Sequence, residues 1–197
     1  MPLNKEWLHR VQRWETALWE TCYRPLAELS LVGFTTFDHL TPAQALAHSF
    51  TPMPPGTPWG AKWEYGWFQT RLIVPPEAAG QRLVFTASPA YQEPHPGECT
   101  VWVNGKAVGS FSWARQHITL ALNAIPGTEF DILIEAYAGH GKLVVDGGPQ
   151  PYGTVRLPEP PPMQCVVGSA SFGIWRELIY QLAVDFSTLL DIHNGID

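Results

Sequence analysis

The fold is decided around the segment Val-Trp-Val-Asn-Gly-Lys-Ala-Val-Gly at 101–109, in the middle of a stretch that runs from Trp63 to Gly141. Its centre, Asn104-Gly105, separates two runs that contain β-branched and aromatic residues. A type I′ turn needs positive φ at both central positions, and Asn and Gly adopt that conformation at little cost. The segment therefore predicts a tight β-hairpin.

Further runs of the same kind, each bounded by Gly, Pro or Asn, lie on both sides of this hairpin. They predict strands at 64–74, 81–87, 99–104, 106–111, 117–122 and 129–137, and weaker ones at 143–145, 154–157 and 164–171. Strands at this spacing, without helices between them, are typical of a β-sandwich or barrel, and we interpret the stretch as a sandwich core. The Gly- and Pro-rich segment 146–162 predicts a stiff loop.

A helix is predicted near each end of the chain, at about 5–24 and about 174–193, because apolar residues recur there at steps of three and four. The stripes consist of Trp7, Leu8, Val11, Trp14, Leu18 and Trp19 in the first helix and of Trp175, Leu178, Ile179, Leu182, Phe186, Leu189, Leu190 and His193 in the second. A short helix is predicted at 42–48, where Thr41 and Gln44 form a capping box. Each terminal helix must bury its stripe against the sandwich, another domain or a second copy of the chain.

These elements divide the chain into four segments. We expect an N-terminal helical segment at 1–49, a Pro-rich connector at 50–62, the β-sandwich domain at 63–173 and a C-terminal helix at 174–197. The prolines of the connector remove backbone donors and fix φ, so it is predicted to lie extended over the surface without helix or strand. Trp59 and Trp63 are expected to pin it to the sandwich.

The composition limits the classes of partner and compartment. Charged residues make up 15% of the 197 residues and the net charge is -6, so no basic surface indicates nucleic acid or an anionic membrane as a partner. Cys22, Cys99 and Cys165 are far apart and odd in number, which is typical of free thiols in a reducing compartment. The sequence lacks a signal peptide and a run long enough to cross a bilayer, so we expect a cytoplasmic protein.

No self-contained active site can be recognised. The seven histidines are scattered, and the spacings of zinc sites, of a serine nucleophile elbow and of phosphate- or dinucleotide-binding loops are absent. Glu135 and Asp131 are the acids to consider for glycoside hydrolysis, but acids on a strand more commonly face solvent or pair with Arg. We therefore expect no catalytic, cofactor-binding or metal-binding residue in this chain.

Four residues are candidates for contacts with a sugar or with another domain. Tyr91, His95 and Trp113 lie in predicted loops, where binding residues concentrate. His140 stands between two glycines, where it could cap a strand end or reach across a domain boundary. The nine tryptophans are more simply explained as filling a sandwich core, because aromatic side chains dominate core packing in any fold.

Four motifs carry a resemblance to a known family. They are Trp-x-x-Gly-Trp-Phe-x-x-x-Leu-x-Val-Pro at 63–75, Val-Trp-Val-Asn-Gly at 101–105, Ile-Glu-Ala-Tyr-Ala-Gly-His-Gly at 134–141 and the helical Tyr-x-Leu-x-x-Asp-x-x-x-Leu-Leu at 180–190. Together they resemble the N-terminal region of the glycoside hydrolase family 38 α-mannosidases, of the bacterial and cytosolic or vacuolar type. The resemblance implies a mainly β fold, a jelly-roll-like (galactose-binding-like) β-sandwich with an N-terminal helix and a C-terminal amphipathic helix.

The resemblance also implies a division of labour. Full-length members are zinc-dependent retaining exo-glycosidases, and their zinc and nucleophile belong to a downstream barrel whose His- and Asp-rich motif has no counterpart in this sequence. The chain is then expected to be a non-catalytic accessory domain that docks on the downstream catalytic domain or on a second copy of itself. The alternatives are a carbohydrate-binding module, the galactose-binding-like domain of another glycosidase such as a β-galactosidase, and a free-standing interaction protein.

Overall fold

The structure, a computed structural model, describes residues 5–91, 98–112, 116–139 and 161–196. The helices are α1 (Lys5–Thr21), α2 (Pro42–Leu46) and α3 (Glu177–Ile196), and a 3-10 turn covers Pro76–Ala78. The strands are β1 (Tyr23–Glu28), β2 (Val32–Thr36), β3 (Thr51–Pro52), β4 (Pro58–Trp59), β5 (Tyr65–Ile73), β6 (Leu83–Ala87), β7 (Cys99–Val103), β8 (Lys106–Phe111), β9 (Ile118–Ala121), β10 (Glu129–Tyr137), β11 (Cys165–Val166) and β12 (Ala170–Trp175). The strands expected at 143–145 and 154–157, and most of the loop expected at 146–162, lie outside the described residues.

The paired strands are antiparallel and build two main sheets. One has the strand order β1-β12-β6-β9, the other has the order β3-β2-β5-β10-β7-β8, and β11 pairs with β4 alone. The two main sheets share one core, to which the six-stranded sheet contributes Phe68 and Ile132 and the four-stranded sheet contributes Phe85 and Phe172. The predicted β-sandwich with a helix near each end is therefore confirmed.

The central hairpin forms as the sequence predicts. Asn104 and Gly105 have φ of 49° and 77° and connect β7 with β8. Asn104 contributes a further contact, because its Oδ1 accepts a hydrogen bond of 2.8 Å from the backbone N–H of Asp131 on β10. The six strands from β5 to β10 lie within two residues of their predicted ranges.

The structure differs from the expected helical segment at residues 23–36, which form β1 and β2. Two features hide these strands in the sequence. β1 is an edge strand with a register shift between Pro25 and Ala27, a place where proline is tolerated. In β2, Gly33 lies so close to its neighbours that a Cβ there would come within 2.7 Å of the sulfur of Met53. The close packing therefore requires glycine at this position, and glycine lowers the strand propensity on which a prediction from the sequence depends.

The Pro-rich connector is not entirely without strands, because β3 and β4 lie in it. Both are only two residues long, and each lies at the edge of a sheet, where a missing N–H costs little. Trp59 is buried and its Nε1–H donates a hydrogen bond of 2.8 Å to the carbonyl oxygen of Pro89. Gly66 makes room for this indole ring, since a Cβ there would come within 2.7 Å of it. Trp59 therefore pins the connector, whereas Trp63 remains 45% exposed.

Both terminal helices differ from their predicted bounds. α1 begins at Lys5 as predicted but ends at Thr21, about three residues early. Residues 174 and 175 belong to β12, which pairs with β1 on one side and β6 on the other, so α3 begins only at Glu177. α1 and α3 pack against each other in opposite directions: Trp19 contacts Tyr180, and Ser187 donates a hydrogen bond to Glu15. α2 is shorter than expected, but the capping box of Thr41 and Gln44 is confirmed.

The three cysteines of the chain are buried. Cys22, Cys99 and Cys165 form no disulfide bond. Burial, with smaller contributions from Cys165 and Glu98, raises the pKa of the Cys99 thiol. In the described part of the chain, no helix is both long enough and apolar enough to cross a membrane.

Candidate binding surfaces

Of the four candidate residues from the sequence, the structure describes only Tyr91. Tyr91 follows β6 and forms an isolated β-bridge with Val166, with backbone hydrogen bonds of 3.0 Å and 2.9 Å in the two directions. Its side chain is exposed. His95, Trp113 and His140 lie outside the described residues.

The outer surface of the six-stranded sheet divides into three zones along β5 and β10. At one end, Arg71 and Asp131 are cross-strand neighbours, and their Nε and Oδ1 atoms are 3.3 Å apart. The Arg71 guanidinium also pairs with Glu129. These side chains are about half exposed, and ion pairs of this kind contribute roughly 0–1 kcal/mol. The expectation that an acid on this strand pairs with Arg is therefore confirmed for Asp131.

The middle of the outer surface is a second small core. Its buried members are Ala45 from α2, Trp67 from β5 and Leu133 from β10. Trp67 stacks on Trp102 with a ring-centroid distance of 5.6 Å. This packing explains why Leu133 breaks the alternation of β10, on which every second residue would otherwise face solvent. α2 thus covers one part of the outer surface and leaves both ends open.

At the other end of β10 lies an open cleft of about 410 Å³, which we call the sheet-face cleft. Its lining includes the polar and aromatic side chains of His39, Tyr65, Thr100, Ser110, Glu135 and Tyr137. Tyr65 and Tyr137 are direct cross-strand partners whose rings stack with a centroid distance of 4.8 Å. Trp63 extends this row, because its ring lies 6.3 Å from that of Tyr137 at an interplanar angle of 27°.

Glu135 is the exceptional group in the sheet-face cleft. Its Oε1 atom is buried and has no hydrogen-bond partner among the described residues. Burial raises the pKa of this carboxyl group, and the nearby His39 opposes the shift only in part. The Nε1 of Trp67, the cross-strand neighbour of Glu135 on β5, is likewise buried without a partner in the described part of the chain. Buried polar atoms without partners are uncommon and require an explanation.

A second cleft, of about 460 Å³, lies where the two terminal helices meet the four-stranded sheet. Its aromatic walls are Trp19, Tyr23, His117, Trp175 and Tyr180. These rings are largely engaged with one another: Trp175 stacks on His117 at 4.1 Å and meets Tyr180 at 5.3 Å. We interpret these ring contacts as the packing interface between the terminal helices and the sandwich.

The terminal helices leave apolar side chains exposed. Leu178, Leu182, Leu189 and Ile192 of α3 are separated by four, seven and three residues, so they share one side of the helix. Leu178 is 82% exposed and Leu189 is 65% exposed. On α1, Trp7 and Trp14 are exposed two turns apart. We call these six side chains the helical-pair surface.

The described residues contain no group of three or more His, Cys, Asp or Glu side chains that could hold a metal ion. Glu135 and Asp131, the two acids considered for glycoside hydrolysis, lie on either side of the second core.

Comparisons with known proteins agree with the observed architecture. A family model described as "Alpha-mannosidase, jelly roll domain" matches residues 25–153, more than half of the chain. Among solved structures, β-glucuronidase from Ruminococcus gnavus in complex with uronic deoxynojirimycin is similar at a TM-score of 0.51 and 12% identity, over 79% of this chain and 29% of that one. Faecalibacterium prausnitzii β-glucuronidase gives a TM-score of 0.47 and 14% identity, over 79% of this chain and 32% of that one. No curated protein matches the sequence.

Proposed function

Because the chain belongs to the family of α-mannosidase jelly-roll domains, we propose that it is a non-catalytic accessory domain of an α-mannosidase. In this proposal the full-length enzyme hydrolyses terminal α-mannosyl residues, and the jelly-roll domain docks on the catalytic domain and positions it. The helical-pair surface is the observation that carries the docking role. A soluble protein rarely exposes several large apolar side chains on one side of a helix unless a partner covers them.

The proposed occupant of the helical-pair surface is the downstream catalytic domain of the same protein. The chain spans about 29% of the length of the β-glucuronidase chains that share its fold, which agrees with one domain of a larger enzyme. α1 has no fully buried residue, and it packs chiefly on α3. The helical pair therefore keeps an outer side that another domain can cover.

The docking role is tested in the polypeptide that carries this chain together with its catalytic domain. We expect the double variant Leu178→Ser/Leu189→Ser to loosen the contact, so that limited proteolysis separates the domains faster and mannosidase activity falls on mild heating. Leu122→Ser is the matched control, because Leu122 is 77% exposed on the turn after β9. Equal proteolysis rates in all three proteins would contradict the proposal. A concentration-dependent dimer of the 197-residue chain, abolished by the double variant, would assign the surface to a second copy instead.

We place the zinc and the catalytic acids of the enzyme in the catalytic domain and no cofactor in this chain. The support is the sequence, which lacks the His- and Asp-rich motif of the family's zinc site. The purified chain is expected to leave an aryl α-mannoside intact and to contain no stoichiometric zinc by elemental analysis. Turnover that survives further purification would refute this assignment.

We further propose a cytoplasmic location and no nucleic-acid or membrane partner. The net charge of -6 and the three cysteines support this, because free thiols persist in reducing compartments. Thiol titration of the chain isolated from its native cells should detect all three cysteines after denaturation.

Carbohydrate binding is the second candidate function, and the sheet-face cleft is the observation that favours it. Of the four residues selected from the sequence for such contacts, Tyr91 does not line this cleft, and the other three lie outside the described residues. The cleft has a volume typical of small-molecule sites, which range from about 300 to 1,000 Å³.

A further inference from the structure

We infer that the sheet-face cleft is a binding site for a neutral saccharide, with Glu135 as the acceptor for the sugar hydroxyls, Tyr65 and Tyr137 as its aromatic lining and Trp63 stacked beside Tyr137. This site gives the second candidate function a location and a ligand class. It is independent of the docking role, because α1 and α3 contribute no residue to the cleft.

The first support is the arrangement of the cleft floor. The register pairs Tyr65 with Tyr137, Glu135 with Thr100 and Thr100 with Ser110. Hydroxyl groups and a carboxylate are thus presented side by side from four neighbouring strands. Because adjacent strands are about 4.8 Å apart, Glu135 and Ser110 are separated by roughly 10 Å. A ligand that contacts both must be extended and must offer hydroxyl groups along its length.

The second support is the state of Glu135. The side chain of Glu135 lines the cleft, and one of its oxygens is buried without a partner among the described residues, so a rotation of the carboxyl group toward the cleft lets it accept a hydrogen bond from a ligand. Sugar hydroxyls are donors of the right kind, and their bonds to a carboxylate are charge-assisted and therefore strong.

The charges in the cleft select a neutral ligand. Glu135 and Glu98 both line it, so an anionic sugar such as a uronic acid would be repelled. His39 interacts electrostatically with Glu135 from the same cleft and favours its charged form, so the protein itself offsets part of the negative charge that would attract a ligand cation. The remaining polar groups are hydroxyls of Ser, Thr and Tyr, which suit an uncharged polyol.

The aromatic side chains provide the apolar part of the site. Tyr137 and Trp63 are 40% and 45% exposed, and their rings are close to parallel. The C–H groups of a pyranose carry partial positive charge, and the face of an aromatic ring is negative. Trp63 has a φ of 69°, which is unusual for a bulky residue, and its backbone N–H donates a hydrogen bond of 2.8 Å to the carbonyl oxygen of Gly139. This bond holds the backbone of Trp63 in the conformation in which its ring stacks beside Tyr137.

The test is an NMR titration of the ¹⁵N-labelled chain with methyl α-mannopyranoside, mannobiose, glucuronic acid and glucosamine. We expect the two neutral mannosides to give saturable shifts of the amides of Thr100, Glu135 and Tyr137, and glucuronic acid and glucosamine to give none. Glu135→Gln keeps the shape of the side chain and should weaken mannobiose binding about tenfold, as a charge-assisted bond becomes a neutral one. Tyr137→Ala should weaken it by a similar factor.

Asp131→Asn is the matched control, because it removes an acid from the same surface of the same strand, and its Kd for mannobiose should equal that of the wild type. The absence of saturable shifts with either mannoside would overturn the inference, as would shifts confined to the cleft near α1 and α3. Stronger binding of glucosamine than of the two mannosides would overturn the assignment of the cleft to neutral ligands. Loss of mannobiose binding when the catalytic domain is attached would instead assign the cleft to a domain contact. None of these outcomes affects the proteolysis test of the helical-pair surface, so the two proposals fail separately.

Discussion

β10 carries three acids on its outer surface, and two of them, Asp131 and Glu135, have opposite surroundings. Asp131 is well exposed, and Arg71 lies across from it on β5 at 3.3 Å. Glu135 is half-buried between Trp67 on β5 and Thr100 on β7, with one oxygen that has no partner in the described part of the chain. The strand, the surface and the charge are the same in both cases. The difference in chemistry therefore comes from the cross-strand neighbours.

The comparison shows how one sheet surface supports two roles. Where an acid faces an Arg, as Asp131 does, the polar groups satisfy one another and little binding capacity remains. Where the acid faces aromatic rings and short hydroxyl side chains, as Glu135 does, its desolvated carboxylate can bind a ligand. The second core around Leu133 and Trp67 separates the two zones.

The largest effect is expected for Leu133→Ala, which removes the barrier between the two acids. Leu133 is buried beneath α2 in contact with the second core, so its truncation should lower the free energy of unfolding by about 2–5 kcal/mol. Urea denaturation measures this change. Leu122→Ala, at a side chain that is 77% exposed, is the control and should change the stability by no more than about 0.5 kcal/mol. Similar losses in both variants would show that the middle zone is not a core.

A pH-dependent effect is expected for Glu135→Gln. Burial raises the pKa of Glu135 above the ordinary value of a glutamate, so between the unfolded and folded pKa values the folded chain binds more protons than the unfolded chain. The stability of the wild type should therefore fall as the pH rises through this window. Glu135→Gln cannot ionise, so its free energy of unfolding does not fall in this way. The difference in free energy of unfolding between the variant and the wild type should therefore be absent at low pH, grow in favour of the variant through this window and then become constant.

Urea denaturation of both proteins, from below the ordinary glutamate pKa of about 4.3 up to neutral pH, measures this difference. His39→Asn, introduced into the wild type and into Glu135→Gln, isolates the contribution of the imidazole to this pH dependence. The imidazole lies near Glu135 and favours its charged form. Glu98 lines the same cleft, and Glu98→Gln serves the same purpose for the second carboxyl group. A stability difference that does not vary with pH would mean that Glu135 is as well solvated as Asp131.

The sequence predicts the sandwich because its strands are marked by local chemistry. Asn104-Gly105 specifies a turn by backbone conformation alone, and β10 alternates as a half-buried strand must. β1 and β2 escape prediction because their strand character depends on the neighbours: Pro25 is tolerated only at an edge, and Gly33 is required by the close approach of Met53. The start of α3 is misplaced for a similar reason, since Trp175 continues an apolar helical stripe but its backbone belongs to β12.

The candidate site could not be predicted in the same way. The alternation of β10 places Asp131 and Glu135 on one surface, but the sequence does not show that Arg71 lies beside the first and Thr100 and Trp67 beside the second. That information is the register of β5 and β7 on β10, which depends on long-range pairing. The residues selected from predicted loops are Tyr91, His95 and Trp113, whereas the tyrosines that line the cleft, Tyr65 and Tyr137, belong to β5 and β10.

The smallest effect is expected for Asp131→Asn. The pair with Arg71 is exposed and Arg71 keeps Glu129 as a second partner, so the free energy of unfolding should fall by less than about 1 kcal/mol. Added salt should reduce the difference further, because exposed charges are screened. A double-mutant cycle with Arg71→Gln isolates the pair, and its coupling energy should be about 0.2–1 kcal/mol. A salt-independent coupling well above that range would place Asp131 in a desolvated environment, and the contrast between the two ends of β10 would then be lost.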